Sequence, residues 1–194
     1  MLALRLDTSQ IRFGGYMSAA PFLDLVNTEH IHDADRVTDR LDEPGAAERL
    51  ERRWNVGCKL TADDVAALRA FRGILRPAIE ELMRTGTLGL DSVEALNAAL
   101  SRTGPGHALV TVAGGGFAVK ERWSDPVALV AASFARAIAE DDPRRIKLCA
   151  NPHCRWAFRD DSKNRSRRWC SSEACGNVAK LRAFRSRARS RGSE

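Results

Sequence analysis

Four of the five cysteines lie in the last quarter of the chain, in two pairs that each enclose four residues. Cys149 is paired with Cys154, and Cys170 with Cys175. A tetrahedral zinc ion needs four ligands from short chain segments, and two such pairs supply them at a small cost in loop-closure entropy. Because four thiolates leave no open coordination position, the pairs predict one structural Zn²⁺ rather than a catalytic metal. His153 lies between the two cysteines of the first pair. We expect it either at the surface or in contact with a cysteine ligand, without binding the metal itself.

Two disulfide bonds are the alternative, and they require an oxidising compartment. Residues 1–10 include Arg5 and Asp7 and have no apolar run, so they do not have the pattern of a secretory signal. No segment is apolar over the length that spans a membrane. We therefore expect a cytoplasmic protein without membrane contact, a setting that favours metal over disulfides. Cys58 stands alone and is predicted to be a plain, partly buried thiol, with a reactive thiol as the alternative.

Positive charge is concentrated in the same segment as the cysteine pairs. The whole chain has a formal net charge of +6, whereas residues 149–194 hold twelve Lys and Arg against four Asp and Glu, a net charge of +8. Such a block is typical of a surface that contacts phosphates, and a solubilising or lipid-attracted basic tail is the alternative. The predicted nucleic-acid-binding residues are Lys163, Arg165, Arg167, Arg168, Lys180, Arg182, Arg185 and Arg189.

The end of the chain is predicted to be a basic helix that begins near Cys175. At 100° per residue its apolar side chains fall on one arc with basic side chains on both borders, so we expect the apolar stripe to dock and the borders to face water. Trp156 and Phe158 alternate after the first cysteine pair, which predicts a short strand with aromatic side chains in a small core; base stacking is the alternative. The apolar stripe consists of Val178, Leu181, Phe184 and Ala188.

Residues 1–143 are predicted to form one mainly helical α+β domain with a small β-hairpin, and residues 144–194 a small four-cysteine zinc-finger module with a C-terminal basic helix. Three helices are predicted to begin at Thr61 with its capping partner Asp64, at Asp91, and at Asp125. Pro77 is expected to kink or split the first of them. The hairpin strands are predicted at residues 108–112 and 117–122, a further strand at 2–13, and the linker at 142–147.

Residues 24–35 contain several acidic and histidine side chains from which a metal site could be built. We expect Asp24 on the polar face of a helix and the following His and Asp side chains in a polar loop, all of them solvated. The chain contains no Gly-rich phosphate loop, nucleophile elbow or zinc-protease motif. The protein is therefore expected not to be an enzyme.

Residues 148–189 resemble the CGNR zinc finger, and the NRSRRWC run at 164–170 is the most specific part of the match. Residues 21–30, PFLDLVNTEH, resemble the LDFVNT signature of the helical ABATE domain that precedes this finger in bacterial stress-induced transcriptional regulators. The resemblance implies that the four cysteines bind zinc. The chain departs from the Cys-Gly-Asn-Arg motif at Val178, where Lys180 or Arg182 could substitute for the missing arginine.

The resemblance also implies that the N-terminal domain senses a small-molecule ligand or mediates assembly. A homodimer is expected for a DNA-binding regulator, because most DNA sites are read symmetrically. Asn27, Arg36 and Trp54 are the candidate pocket residues, although Asn27 could instead cap the end of a helix. The favoured function is a zinc-dependent, DNA-binding transcriptional regulator that responds to stress. The alternatives are an RNA-binding zinc module, and a small-molecule-binding or enzymatic stress protein whose finger serves assembly.

Overall fold

The computed structural model describes residues 20–33, 36–54, 56, 58–102, 104, 106–112 and 116–191. The α-helices in this part are α1 (Pro21–Val26), α2 (Ala46–Trp54), α3 (Ala62–Thr85), α4 (Leu90–Leu100), α5 (Pro126–Ala139) and α6 (Asn177–Arg191). The strands form antiparallel pairs: β1 (Glu29–Asp33) with β2 (Arg36–Asp39), β3 (Gly106–Val112) with β4 (Gly116–Arg122), and β5 (Ile146–Leu148) with β6 (Ala157–Arg159). The mainly helical α+β class is confirmed, and the strand predicted at 2–13 lies outside the described residues.

Helix α3 begins and ends at the signals present in its sequence. The Asp64 amide donates to Thr61 Oγ1 at 3.2 Å, and the Thr61 amide donates to the Asp64 carboxylate at 2.8 Å, which completes the predicted capping box. Gly86, at φ 79°, ends the helix in the left-handed conformation that glycine adopts most readily. Pro77 removes one backbone hydrogen bond but does not split the helix. The helix is held through Pro77 by buried neighbours: Leu75, Ala78, Ile79 and Leu82.

The core lies where α1, α3 and α5 pack together. The rings of Phe22 and Phe134 are 5.3 Å apart between centroids, and both side chains are buried. Ile146 of β5 and Ala157 of β6 belong to the same apolar cluster. The predicted linker at 142–147 forms a 3₁₀ turn followed by the start of β5, which packs on α3. The N-terminal helices and the cysteine-containing segment therefore share one core.

The strand pairs partly match the prediction. The hairpin β3–β4 is confirmed, with Leu109 opposite Val119 in its register. The prediction of a polar loop after α1 is wrong, because residues 29–33 form β1 and residues 36–39 form β2. Long-range ion pairs hold this polar hairpin: the Asp39 carboxylate accepts from Arg72 Nη1 at 2.8 Å, and Arg69 also pairs with it.

Asp24 is buried, so the prediction of a solvated carboxylate is wrong. Its Oδ2 accepts hydrogen bonds from Arg53 Nε at 3.0 Å and from Trp54 Nε1 at 3.2 Å. Both donors come from α2, a helix that the sequence analysis did not predict. Burial raises the pKa of Asp24, although the hydrogen bonds from Arg53 and Trp54 act in the opposite direction.

In the described part of the chain, every helix is too short or too polar to cross a lipid bilayer.

Candidate metal centre

The four cysteines of the two pairs converge on one point. Their Sγ atoms all lie within 4.8 Å of one another, with 3.6 Å between Cys154 and Cys170 and 3.8 Å between Cys170 and Cys175. Zinc–sulfur bonds of about 2.3 Å in a tetrahedron place the sulfurs about 3.8 Å apart, so these separations fit a zinc ion. All four thiols are free of disulfide bonds. The cluster could therefore bind zinc through four sulfurs.

The first pair is placed by the turn between β5 and β6. The amide of Cys149 donates to the Trp156 carbonyl at 2.8 Å, and the amide of Cys154 donates to the Asn151 carbonyl at 2.9 Å. Arg155 has a φ of 47°, a left-handed conformation that turns the chain back into β6. This turn brings two cysteines that are five positions apart to the same side.

The second pair is placed by a tight turn that leads into α6. Cys175 lies in a π-helical turn at Ser172–Gly176, and Ser171 caps the turn by accepting from the Ala174 amide at 3.1 Å. A Cβ atom at Gly176 would lie 3.3 Å from Trp169 Cδ1, closer than most side-chain contacts. Close packing against Trp169 therefore favours glycine at this position of the CGN sequence.

Hydrogen bonds between the thiols of the cluster shift their pKa values in opposite directions. Those made with Cys154 and Cys170 lower the pKa of Cys149, whereas the hydrogen bond to Cys149 raises the pKa of Cys154. Asn151 Nδ2 donates to Cys175 Sγ at 3.4 Å, a contact that orients this cysteine within the cluster. Because all four ligands must be thiolates, metal binding would release the remaining protons.

A buried carboxylate organises the loop between the cysteine pairs. Asp160 has no exposed surface, and it accepts from Lys147 Nζ at 2.6 Å, Ser162 Oγ at 2.6 Å and the Arg167 amide at 2.9 Å. Burial alone would raise the pKa of Asp160, but these hydrogen bonds outweigh it and hold the pKa well below the usual range. Sequence analysis missed both Asp160 and Lys147; the only signal was an acidic pair, Asp160 and Asp161, in a basic segment.

Two family patterns match the chain. The CGNR zinc finger matches residues 145–188, which include all four cysteines. The ABATE family, described as "Putative stress-induced transcription regulator", matches residues 19–141, more than half of the chain. The chain belongs to the ABATE family. Its C-terminal part is a CGNR zinc finger, so the resemblance noted in the sequence is confirmed. No curated protein matched the chain.

Two arginines in the loop of the CGNR finger are engaged by other groups of the protein. Arg165 pairs with Asp142. Arg167 Nε donates to the Trp169 carbonyl at 2.8 Å, its Nη2 donates to the Cys170 carbonyl, and its guanidinium lies 4.9 Å from the centre of the Phe158 ring. Both side chains thus help to hold the loop around the cysteines.

The other two predicted loop residues lie at the surface. Lys163 is exposed, and the exposed Arg168 side chain stacks on Trp169 at 5.3 Å. Trp156 is half-buried and Phe158 is buried, in agreement with the prediction that they fill a small core beside the cysteines.

Helix α6 of the CGNR finger projects from the cysteine cluster and packs mainly on the turn at Ser172–Gly176. Lys180, Arg182 and Arg185 are exposed, and Arg182 Nη1 reaches Asn151 Oδ1 at 3.3 Å. Arg189 lies on α6, but its side chain is outside the described residues. Asn151 thereby joins a basic side chain of α6 to a cysteine of the cluster.

The prediction that the apolar stripe of α6 docks is wrong. Val178, Leu181 and Phe184 are 41%, 52% and 66% exposed. Within the described part of the finger, the buried apolar residues, such as Ala157 and Phe158, all precede α6. Val178, which replaces the family arginine, therefore lies on an open face.

The three candidate pocket residues have different surroundings. Asn27 follows α1, at the helix end as predicted, but its side chain hydrogen-bonds the backbone of Ala157 in the CGNR finger. Trp54 is buried against Asp24. Arg36 begins β2, and its side chain lies outside the described residues. Cys58 is half-buried, and burial raises the pKa of its thiol, which favours the plain thiol over the reactive one.

Proposed function

We propose that this protein is a zinc-dependent, DNA-binding transcriptional regulator of the cytoplasm and not an enzyme. One observation carries the proposal: α6 leaves the four-cysteine cluster with its basic and apolar side chains exposed. Membership of the ABATE family supports a regulatory role. Four cysteine ligands would leave zinc no open position, so the metal would fold the finger and orient α6.

An exposed helix of this kind suits the major groove of duplex DNA. Helix α6 has 15 residues, so it is about 22 Å long, and the groove is about 12 Å wide. Lys180 and Arg185 border the apolar stripe and would contact phosphates. The stripe residues Leu181 and Phe184 would face the base edges, where a thymine methyl group accepts apolar contact.

The loop between the cysteine pairs takes a smaller part in this proposal. Lys163 and Arg168 are exposed and would add phosphate contacts. Arg165 and Arg167 are engaged with Asp142 and with backbone carbonyls, so their main role would be to position the cysteines. A homodimer would place two copies of α6 on two half-sites, as many regulators do.

The test is fluorescence anisotropy of the zinc-loaded chain with duplex DNA and with structured RNA over a salt series. The double variant K180Q/R185Q should bind DNA at least tenfold more weakly. Its slope of log affinity against log salt should fall by about 2, because each lost phosphate contact removes about 0.9. The control R52Q/R84Q removes the same charge from exposed positions on α2 and α3 and should change affinity less than twofold.

Two results would count against the proposal. If K180Q/R185Q and R52Q/R84Q weaken binding equally, the attraction is a property of total charge and not of α6. If structured RNA outcompetes duplex DNA at every salt concentration, the finger is an RNA-binding module instead.

A further inference from the structure

A cavity of about 200 Å³ opens between α1 and α2 in the ABATE domain. Its floor is apolar, formed by Leu41, Ala46 and Leu50. Its inner wall is polar and buried, and includes Asp24 and Asn27. A cavity of about 150 Å³ holds one benzene molecule, so this cavity has room for a single ring with a small substituent.

The rim of the cavity is basic, since it is formed by Arg40, Arg49 and Arg53. Arg53 is paired with the Asp24 carboxylate and Arg49 with Glu43. Arg40 is exposed, and within the described part of the chain its guanidinium has neither an ion-pair nor a hydrogen-bond partner. Counting the described residues, the rim therefore carries one positive charge without a paired carboxylate above an apolar floor, an arrangement that favours a small organic anion.

Asn27 connects this cavity to the zinc finger. Its Nδ2 donates to the Ala157 carbonyl and its Oδ1 accepts from the Ala157 amide, each at 2.8 Å. Asn27 also lines a second cavity, of about 220 Å³, on the finger side together with Ala157 and Cys170. A molecule that displaces or immobilises the Asn27 side chain would thus change the hydrogen bonding of β6, next to the cysteines.

We propose that the cavity between α1 and α2 is an effector site for a small carboxylate with an apolar body, and that Asn27 couples its occupancy to the zinc finger. The site and its coupling to β6 stand on the geometry alone. The further consequence, a change in DNA affinity, rests on the proposed function. A ligand changes DNA affinity only by its differential binding to the two states, and DNA must change the ligand's affinity by the same factor.

The experiment is a titration of the zinc-loaded full chain with sodium benzoate, followed in ¹H–¹⁵N NMR spectra. Benzyl alcohol is the neutral probe of similar shape, and sodium chloride controls for ionic strength. Benzoate should cause saturable shifts at the Ala46 and Leu50 amides and bind at least tenfold more tightly than benzyl alcohol. R40Q should abolish the preference for benzoate over benzyl alcohol. R52Q, which replaces an exposed arginine on α2 outside the cavity lining, should retain it.

Coupling is read in the same spectra, from the Ala157 amide. In the native chain, the Ala157 signal should shift with the same midpoint as the Ala46 signal. In N27D the Ala157 signal should no longer respond to benzoate. This variant keeps an acceptor for the Ala157 amide but loses the donor to the Ala157 carbonyl. An Ala157 signal that stays fixed while Ala46 saturates would overturn the coupling. No saturable shift at tens of millimolar benzoate, or equal affinity for benzyl alcohol, would overturn the site.

DNA affinity is measured separately by anisotropy, with and without benzoate. A threefold or larger change in the native chain that is absent in R40Q is the expected result. Unchanged DNA affinity beside saturable shifts at Ala46 and Ala157 would overturn the regulatory consequence and keep the site. If the chain binds no DNA at all, the proposed function fails while the NMR result still decides the effector site.

Discussion

The Asn27 side chain forms two hydrogen bonds of 2.8 Å with the backbone of Ala157, 130 positions further along the chain. One amide group satisfies both the donor and the acceptor of a buried residue in β6. The ABATE domain is thereby fixed to the finger at the strand that follows Cys154.

Replacing Asn27 should destabilise the chain as a whole. N27A leaves the buried N–H and C=O groups of Ala157 without partners, each at a cost of about 1–3 kcal/mol, so we expect a loss of about 2–6 kcal/mol in the free energy of unfolding. Urea denaturation of the zinc-loaded chain measures it. N97A, on the exposed side of α4, is the matched control and should stay within about 0.5 kcal/mol of the native chain. Equal stability of the two variants would show that the Asn27 contacts contribute nothing.

Asp160 should matter far more than its neighbour Asp161. D160N leaves the Lys147 ammonium group without its carboxylate and should cost about 3 kcal/mol. D161N alters a carboxylate that is 75% exposed and should have little effect. Chemical denaturation compares the two, and similar losses would contradict the central place of Asp160 in the finger.

The contribution of Asp160 should also depend on pH. Its pKa is lower in the folded chain than in the unfolded chain, where it is about 3.9, so its ionised form stabilises the fold above that value. This stabilisation is lost as the pH falls below about 4 towards the folded pKa. The difference in unfolding free energy between the native chain and D160N should therefore be constant from pH 7 to 5 and shrink below pH 4. A difference that grows on acidification would reverse the assigned sign.

C170S should lose the metal and unfold the finger, because three cysteines leave the ion incompletely coordinated. The upstream helices should still unfold cooperatively, but at a lower temperature, since Ile146 and Ala157 leave the shared core when the finger unfolds. Zinc content by mass spectrometry and circular dichroism melting measure both effects. Full zinc retention in C170S would contradict the assignment of Cys170 as a ligand.

Arg167 and Arg168 are neighbours with different contacts, so their variants should differ in the rate of zinc loss. R167Q removes the donor to the Cys170 carbonyl and should speed the loss of zinc to a chelator by about tenfold, equivalent to about 1.4 kcal/mol. R168Q should leave that rate unchanged and only weaken nucleic-acid binding. Chelator competition followed by a zinc-sensitive dye gives the rates, and equal rates would remove the positioning role of Arg167.

Phe184 should be dispensable for folding. It is 66% exposed, so F184S should leave zinc content intact and change the unfolding free energy by less than about 0.5 kcal/mol. Thermal melting measures this. A large loss of stability would indicate that the apolar stripe docks after all, as the sequence alone suggested.

The parts of the fold that follow from local signals could be predicted from the sequence. The capping pair Thr61 and Asp64, the cap at Asp125 and the cysteine spacing each act within a few residues. The buried roles of Asp24 and Asp160 could not be predicted, because they depend on partners such as Arg53 and Lys147.

The exposure of the apolar stripe of α6 could not be predicted either, because it also depends on parts of the fold that are distant in the sequence. Periodicity shows which side chains share a face, but only the surrounding fold shows whether anything covers that face. The basic residues were predicted as one surface, yet the Arg167 side chain is held by backbone carbonyls next to the cysteines, while Lys180 is exposed on α6. Composition gives the total charge, but it does not show which charged side chains contact other groups of the protein and which ones face solvent.

The shared core has a consequence for protein engineering. Ile146 and Ala157 are buried among helices of the ABATE domain, and Asn27 forms two hydrogen bonds with the backbone of Ala157 in β6. A finger cut out at residue 144 and grafted onto an unrelated protein would expose this apolar face and leave the backbone of Ala157 without partners. A chimera would have to carry α1 and the part of α3 that packs on β5 along with the finger. Recombination between members of this family should therefore preserve the ABATE domain and the finger as one unit.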